Sequence, residues 1–179
     1  MAAMDDLRYP IGSWSYPQSI STAEQRRSWI GDIAGTPAAL RAAVAGLTEA
    51  QLDTQYRPGG WTLRQVVHHL PDSHMNGYVR FKLALTEETP TVKPFDEARW
   101  AVLGDVARTP PETSVALLES LHSRWVCLLQ SMTENEWMRR FHHPDVGTLR
   151  LEQYLAGFAW HGKHHVAHIT SLRKRMGWQ

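Results

Sequence analysis

The amino-acid sequence predicts an all-α protein, a four-helix bundle with short additional turns or helices, in which residues 1–179 form one domain. Three observations lead there. Apolar residues recur at helical spacing in four long stretches, strand-like alternation is weak throughout, and Ser or Thr followed three residues later by Glu or Gln recurs as a helix-start signal. A chain of 179 residues buries one core without disulfides or a structural metal, and a second full domain would be cramped.

The elements follow in order. Ser21 with Glu24 opens a long helical region to about residue 47, interrupted or kinked at GTPAA, where Pro37 fits either a bend or a fresh helix start. Thr48 with Gln51 opens a short turn, and Thr62 with Gln65 begins the second long helix, which ends before the proline-containing TPTVKPF. The third runs from about Ser114 to Met132, with Leu117, Leu118, Leu121, Trp125, Leu128 and Met132 at helical spacing. Thr133 with Glu136 opens another short turn, and FHHPDVGTL holds at most a short irregular excursion. The fourth helix runs from about Leu149 to Met176 and stops at Gly177. LTEAQL before GGWTLRQ resembles MTENEW before VGTLRLE, so each half reads as a long helix, a short turn-helix and another long helix.

Charge and cysteine content exclude several functions. With 19 basic and 18 acidic side chains, no global field favours nucleic acid or an anionic membrane. Arg173, Lys174 and Arg175 read as a helix C-terminus meeting its dipole. Cys127 stands alone, which excludes an internal disulfide and a cysteine-rich zinc knuckle, and its apolar neighbours in RWVCLLQ predict a packed thiol. The start, MAAMDDLRYP, lacks a signal-peptide pattern, and no run of about 18 apolar residues occurs. The expectation is a soluble cytoplasmic protein.

FAWHGKHHVAHITSLRKRMGW, residues 158 to 178, places four histidines within eight residues. Projected at about 100° per residue, Leu151, Leu155, Phe158, Ile169, Leu172 and Met176 form one stripe, with His165 near its centre and His161 roughly 40° off. His164, roughly 100° away, is expected at the rim or in solvent, and His168 is expected as an outer partner of the inward pair. In the second helix His69 lies on the border of the buried side with Ser73, Asn76 and Arg80, His68 points away, and His74 projects inward as a rival to His69. Two inward imidazoles one turn apart and a third from a neighbouring helix supply three neutral nitrogen ligands and leave a fourth position open. The spacing H-x-x-x-H alone also fits a histidine paired with a core carboxylate or half-exposed. Gly162 stands where a zincin carries the glutamate of H-E-x-x-H, the inward glutamates of a di-iron bundle are missing, and RPGGW is a turn before a capped helix, not a phosphate loop.

YPIG near the start, GGWTLRQVVHHLPDSHMNGYVRFKLALTEETP, HPD and WHGKHHVAHITSLRKRMGW together resemble the YfiT branch of the DinB-like superfamily across almost the whole chain. The resemblance implies a four-helix bundle that holds one divalent ion, zinc or nickel, through one histidine before a leucine and an H-x-x-x-H. Those positions are His69, His161 and His165 here. It also implies a homodimer, which suits a chain with eight tryptophans and exposed aromatics to cover. Members are described as metal-dependent hydrolases or as transferases that join a low-molecular-weight thiol, bacillithiol in some bacteria, to an electrophile. The expectation is a metal-dependent thiol S-transferase acting on small molecules, with metal-dependent hydrolysis as the alternative and a non-catalytic metal-binding bundle as a third reading. Arg80, Asn76 and His168 are the candidate contributors to catalysis beyond the ligands. Arg80 suits an anionic thiol or a substrate carboxylate, but a solvated or salt-bridged arginine is the expected reading, and Tyr154, Trp160 and His74 are expected to serve the core.

Overall fold

The computed structural model describes residues 7–178 and is helical apart from one hairpin. The elements are α1 (Ala23–Val44), α2 (Glu49–Leu52), α3 (Leu63–Thr86), α4 (Glu97–Trp100), α5 (Gly104–Arg108), α6 (Pro111–Ser131), α7 (Glu134–Trp137), β1 (Arg140–His143), β2 (Gly147–Arg150) and α8 (Leu151–Met176). The four long helices α1, α3, α6 and α8 make the bundle. α1 packs against α6 and α8, and α3 packs against the same two, so helices consecutive in the chain, α1 with α3 and α6 with α8, stand diagonally. Each diagonal crossing needs more chain than a tight hairpin loop, and the short elements supply it. The first crossing carries α2, and the second carries α7 and the β1–β2 hairpin. Each half is thus a long helix, a short capped helix and a long helix.

Capping is as expected at Thr48, Thr62 and Thr133, each of which accepts from the backbone three residues on. At α1 it differs: the box is Thr22 with Gln25, not Ser21 with Glu24. Two overlapping registers satisfy the pattern, and a buried carboxylate decides between them. Glu152 is 1% exposed and draws both the Ser21 N–H, at 2.8 Å, and the Ser21 hydroxyl, so Ser21 is engaged before it can cap. α1 also continues through Pro37 without a break. A proline there cannot donate to the carbonyl four residues back, which belongs to Ile33. The His122 ring reaches that carbonyl instead, Nδ1 to oxygen at 2.6 Å.

The segment expected to be irregular forms a regular antiparallel pair in which Phe141 faces Leu149, both buried. Thr91 pairs with His142 alongside it, so the chain after α3 becomes a third short rung and is carried over the end of the bundle towards α4.

Two apolar clusters fill the bundle. One contains Ile33, Phe81, Trp125, Leu155 and Phe158, the other Leu40, Leu70, Leu118, Ile169 and Leu172. Along each long helix the residues between them are polar or small: Thr36 on α1, His74 on α3, His122 on α6, and His161 with His165 on α8. A histidine layer divides the core. Two glycines set the helix spacing at that layer. A Cβ on Gly77 would lie 2.5 Å from the Phe158 ring, and one on Gly162 would lie 2.6 Å from Thr36 Oγ1 and 2.9 Å from its methyl. Gly162, which replaces the zincin glutamate, is therefore where α8 closes on α1.

Gly162→Ala should force α8 off α1, overpacking of this kind costing about 1–3 kcal/mol before any gain in helix propensity. Thr36→Ala removes the two closest atoms and leaves only a Cβ at 3.4 Å. In a double-mutant cycle followed by urea unfolding, Gly162→Ala should be better tolerated in the Thr36→Ala background by on the order of 1 kcal/mol. Simple additivity would show that this contact does not set the spacing.

Candidate metal centre

α3 and α8 bring His69, His161 and His165 together. One ring nitrogen from each lies within 4.8 Å of the other two, and His69 Nε2 stands 3.2 Å from His161 Nε2. Two nitrogens bound to one tetrahedral zinc at ordinary lengths stand about 3.3 Å apart. His69 and His165 are buried and His161 is half-buried. Burial pushes the pKa of His69 down to about 4 and those of His161 and His165 well below the usual imidazole value, and the neighbouring imidazoles add to the effect. All three are neutral at physiological pH, which is the protonation state of a ligating imidazole. Three convergent neutral nitrogen donors are a set of the kind that holds zinc or nickel.

Behind the triad each α8 histidine is held by other imidazoles. His161 Nδ1 lies 3.1 Å from His74 Nε2, and His74 Nδ1 lies 2.8 Å from His122 Nε2. His165 Nδ1 lies 3.4 Å from His168 Nδ1, whose Nε2 donates to the Arg8 carbonyl at 3.0 Å. His74 and His69, rivals on the helical projection, are both buried, with His69 beside His161 Nε2 and His74 behind Nδ1.

Two cavities border the cluster, of about 300 and 320 Å³. The first is walled largely by aromatic side chains, among them Trp14, Tyr16, Phe95 and Trp160, and reaches His161. The second presents Arg8 and Arg57 with His164, His165 and His168. Glu97 belongs to both walls. A larger recess of about 470 Å³, between α1 and α6 beside Arg26 and Trp137, contains no histidine.

A model described as the DinB superfamily matches residues 32–169. The chain belongs to that superfamily. Within it, a protein of Bacillus cereus strain AH820 is 53% identical over 98% of this chain and 100% of its own length, as is one from Bacillus thuringiensis subsp. konkukian; both carry the name "Putative metal-dependent hydrolase". The solved structure of YfiT from Bacillus subtilis is 51% identical, superposes with a TM-score of 0.94 and covers 97% of this chain and 99% of that one. It is described as a "probable metal-dependent hydrolase with an unusual four-helix bundle topology". The diagonal placement of consecutive helices is the form that the DinB bundle takes in this chain.

The structure departs from the sequence reading at several side chains. His164 is buried, not at the rim: it stacks on Trp160 with ring centroids 4.2 Å apart and lies under Tyr9, so the segment before α1 covers it. His68 points away from the triad yet is also buried, its Nδ1 2.7 Å from the Ser114 hydroxyl. Arg80 is buried and, among the described residues, has no salt bridge; it donates to two neutral oxygens, the Tyr154 hydroxyl at 2.7 Å and the Lys93 carbonyl at 2.9 Å, on the wall of the aromatic cavity. Trp160 serves the cavity rather than the core. Asn76 donates to the Asp72 carbonyl within its own helix at 2.8 Å. Cys127 is exposed, because two residues beyond the buried Trp125 it lies on the opposite face of α6. No helix is long and apolar enough to cross a membrane among the described residues. Sequence reasoning passed over His122 altogether, although it sits four residues after Leu118 and three before Trp125, in the buried stripe of α6.

The buried imidazoles make stability depend on pH in a definite direction. His69 and His122 titrate at about 4 in the fold, against 6.5 for an ordinary histidine. Between those values the unfolded chain binds more protons than the folded one, so the contribution is complete above pH 6.5 and lost as pH falls towards 4. The slope is on the order of 1.4 kcal/mol per pH unit for each such imidazole. Urea unfolding of metal-free protein should therefore show a steep loss of stability from pH 7 to pH 5. An unchanged midpoint over that range would contradict the neutral buried layer.

Proposed function

We propose that this chain is a metal-dependent enzyme in which His69, His161 and His165 hold one divalent ion, zinc or nickel, and that it joins a small thiol of the bacillithiol type to a small electrophile. The supporting observation is the pair of unlike cavities that border the triad, one at His161 and the other at His165. A transfer between two organic molecules needs two compartments with access to one reacting centre, whereas hydrolysis needs one compartment and water. When bound, a dication with three neutral ligands keeps its full charge and favours the deprotonated form of a thiol or water at its open position.

The chain's own groups do the remainder. The aromatic walls exclude water and accept an apolar electrophile. Arg80, held by Tyr154 and the Lys93 carbonyl, directs its charge along that wall and suits a carboxylate or a developing negative charge. The Tyr154 hydroxyl, pushed up to about 12 by burial against the opposing effect of Arg80, stays protonated and orients rather than exchanges protons. Arg8 and Arg57 give the second cavity a cationic lining for an anionic thiol. Glu97, a solvent-exposed side chain on both walls whose pKa is raised by desolvation, takes the proton that the thiol gives up in this scheme. Asn76, bonded within its helix, has no part in this scheme, and His168 acts through His165.

The names of the Bacillus relatives favour a second reading, metal-dependent hydrolysis at the same centre. The two divide on whether turnover needs a thiol. Elemental analysis should find about one ion per chain in the wild type, the content expected of a single three-histidine site, and little in His165→Ala. Wild-type protein assayed with an alkylating electrophile should form product only when bacillithiol or glutathione is added, and His165→Ala should not. Equal metal in both proteins would remove the metal assignment. Ester or amide cleavage that proceeds equally well without thiol would move the assignment to hydrolase.

A further inference from the structure

A neutral imidazole has one N–H and one lone pair, so a row of imidazoles that ends on a carbonyl has one consistent set of proton positions. Two such rows lead outward from α8. In the longer, the Ile33 carbonyl only accepts, so His122 carries its proton on Nδ1, 2.6 Å away. His122 Nε2 then accepts from His74 Nδ1 at 2.8 Å, and His74 Nε2 accepts from His161 Nδ1 at 3.1 Å. In the shorter, the Arg8 carbonyl takes the proton of His168 Nε2 at 3.0 Å, and His168 Nδ1 accepts from His165 Nδ1 at 3.4 Å. Both rows leave the Nε2 lone pair of their α8 histidine free.

We propose that His74, His122 and His168 are positioning residues that lock His161 and His165 as Nδ1–H tautomers, presenting both Nε2 lone pairs to the metal ion, and that Pro37 supplies the terminal acceptor of the longer row. Pro37 sits inside α1 and lacks the N–H that would otherwise bond the Ile33 carbonyl. A helix-breaking residue in a helix interior thereby gains a reason: it leaves a strong acceptor facing the core. The free lone pair on His161 Nε2 makes His69 the donor in their 3.2 Å contact, so His69 alone changes tautomer when an ion binds. Hydrogen bonds of this kind raise ligand basicity and fix ring orientation, and losing one typically costs 10- to 100-fold in metal affinity or activity.

The purpose of the locking rests on the metal reading of the triad, but the proton positions do not, and the experiment separates the two. Protein labelled with ¹⁵N-histidine is recorded metal-free at neutral pH by long-range ¹H–¹⁵N correlation. His161 and His165 should carry their protons on Nδ1, and His69 on Nε2; an Nε2 proton on either α8 ligand overturns the proposal. Zinc Kd is then measured by chelator competition for wild type, His122→Phe and Pro37→Ala. His122→Phe should release His161 into mixed tautomers, leave His165 unchanged and weaken zinc binding about 10- to 100-fold. Pro37→Ala, which restores an N–H to compete for the Ile33 carbonyl and keeps every histidine, should weaken binding in the same direction by a smaller factor. Unchanged affinity in Pro37→Ala, or lost affinity in His122→Phe with the His161 tautomer intact, would overturn the relay. Should His122→Phe fail to fold, the wild-type spectrum and Pro37→Ala still decide. A wild type with the expected tautomers that binds no zinc would leave the relay standing and remove the metal function.

Discussion

The fold depends on satisfying a layer of neutral imidazoles buried across the middle of a four-helix bundle. A buried polar group left without a partner costs roughly 1–3 kcal/mol, so several unpaired ring nitrogens would consume a large share of the stability of a domain this size. The residues around the layer meet most of these nitrogens; among the described residues His68 Nε2 and His164 Nδ1 are the ring nitrogens buried without a partner. Pro37 leaves the Ile33 carbonyl available, the segment before α1 brings the Arg8 carbonyl to His168, and the Ser114 hydroxyl meets His68 Nδ1. Gly162 and Gly77 draw α8 against Thr36 on α1 and place the Phe158 ring on α3, fixing the helix that carries His161 and His165. The same layer turns the Nε2 lone pairs of His161 and His165 towards His69, an arrangement that mutual repulsion makes unfavourable unless a proton, here that of His69 Nε2, or a cation lies between them.

Topology turns that layer into a site with access from outside. Placing consecutive helices diagonally lengthens both end crossings, and the chain after α3 is drawn towards β1 by the Thr91 pairing. That path delivers Phe95 and Glu97 to the cavities beside the triad, and the segment before α1 adds Trp14 and Tyr16 to the first and Arg8 and Tyr9 to the second. A bundle with tight loops between adjacent helices would have the histidine layer and no walls for substrates. Metal chemistry would come from the bundle helices, and selectivity from the connections between them.

Much of this was legible in the sequence, for physical reasons that differ by residue. Helical period placed His161 and His165 inward because their helix has a continuous apolar stripe. Three of the four capping boxes were readable since each had one workable register; at α1 two registers overlapped, and Glu152, more than a hundred residues away, made the choice. Periodicity failed where another segment covers a helix face, as Tyr9 covers His164, because a helical wheel describes the helix and not what lies on it. His69 and His74 are both buried, and only the rings opposite them settle which faces the open side of His161. His122 and Pro37 were visible separately, one as a polar residue in an apolar stripe and the other as a misplaced helix breaker. Their connection is a contact between α1 and α6 that no local pattern encodes. The hairpin read only as a short irregular excursion because its strands are four residues long and only Phe141 and Leu149 are buried in them.

The central claim is that the buried layer offers three imidazoles, and no more, to one ion with a position left open. X-ray absorption spectroscopy of the zinc-loaded protein tests it most directly. The account predicts three imidazole nitrogens at about 2.0–2.1 Å with an additional light atom, and a sulfur neighbour at about 2.3 Å replacing that atom when bacillithiol is added. A shell of four imidazoles, with His74 or His164 drawn in to close the site, would contradict it.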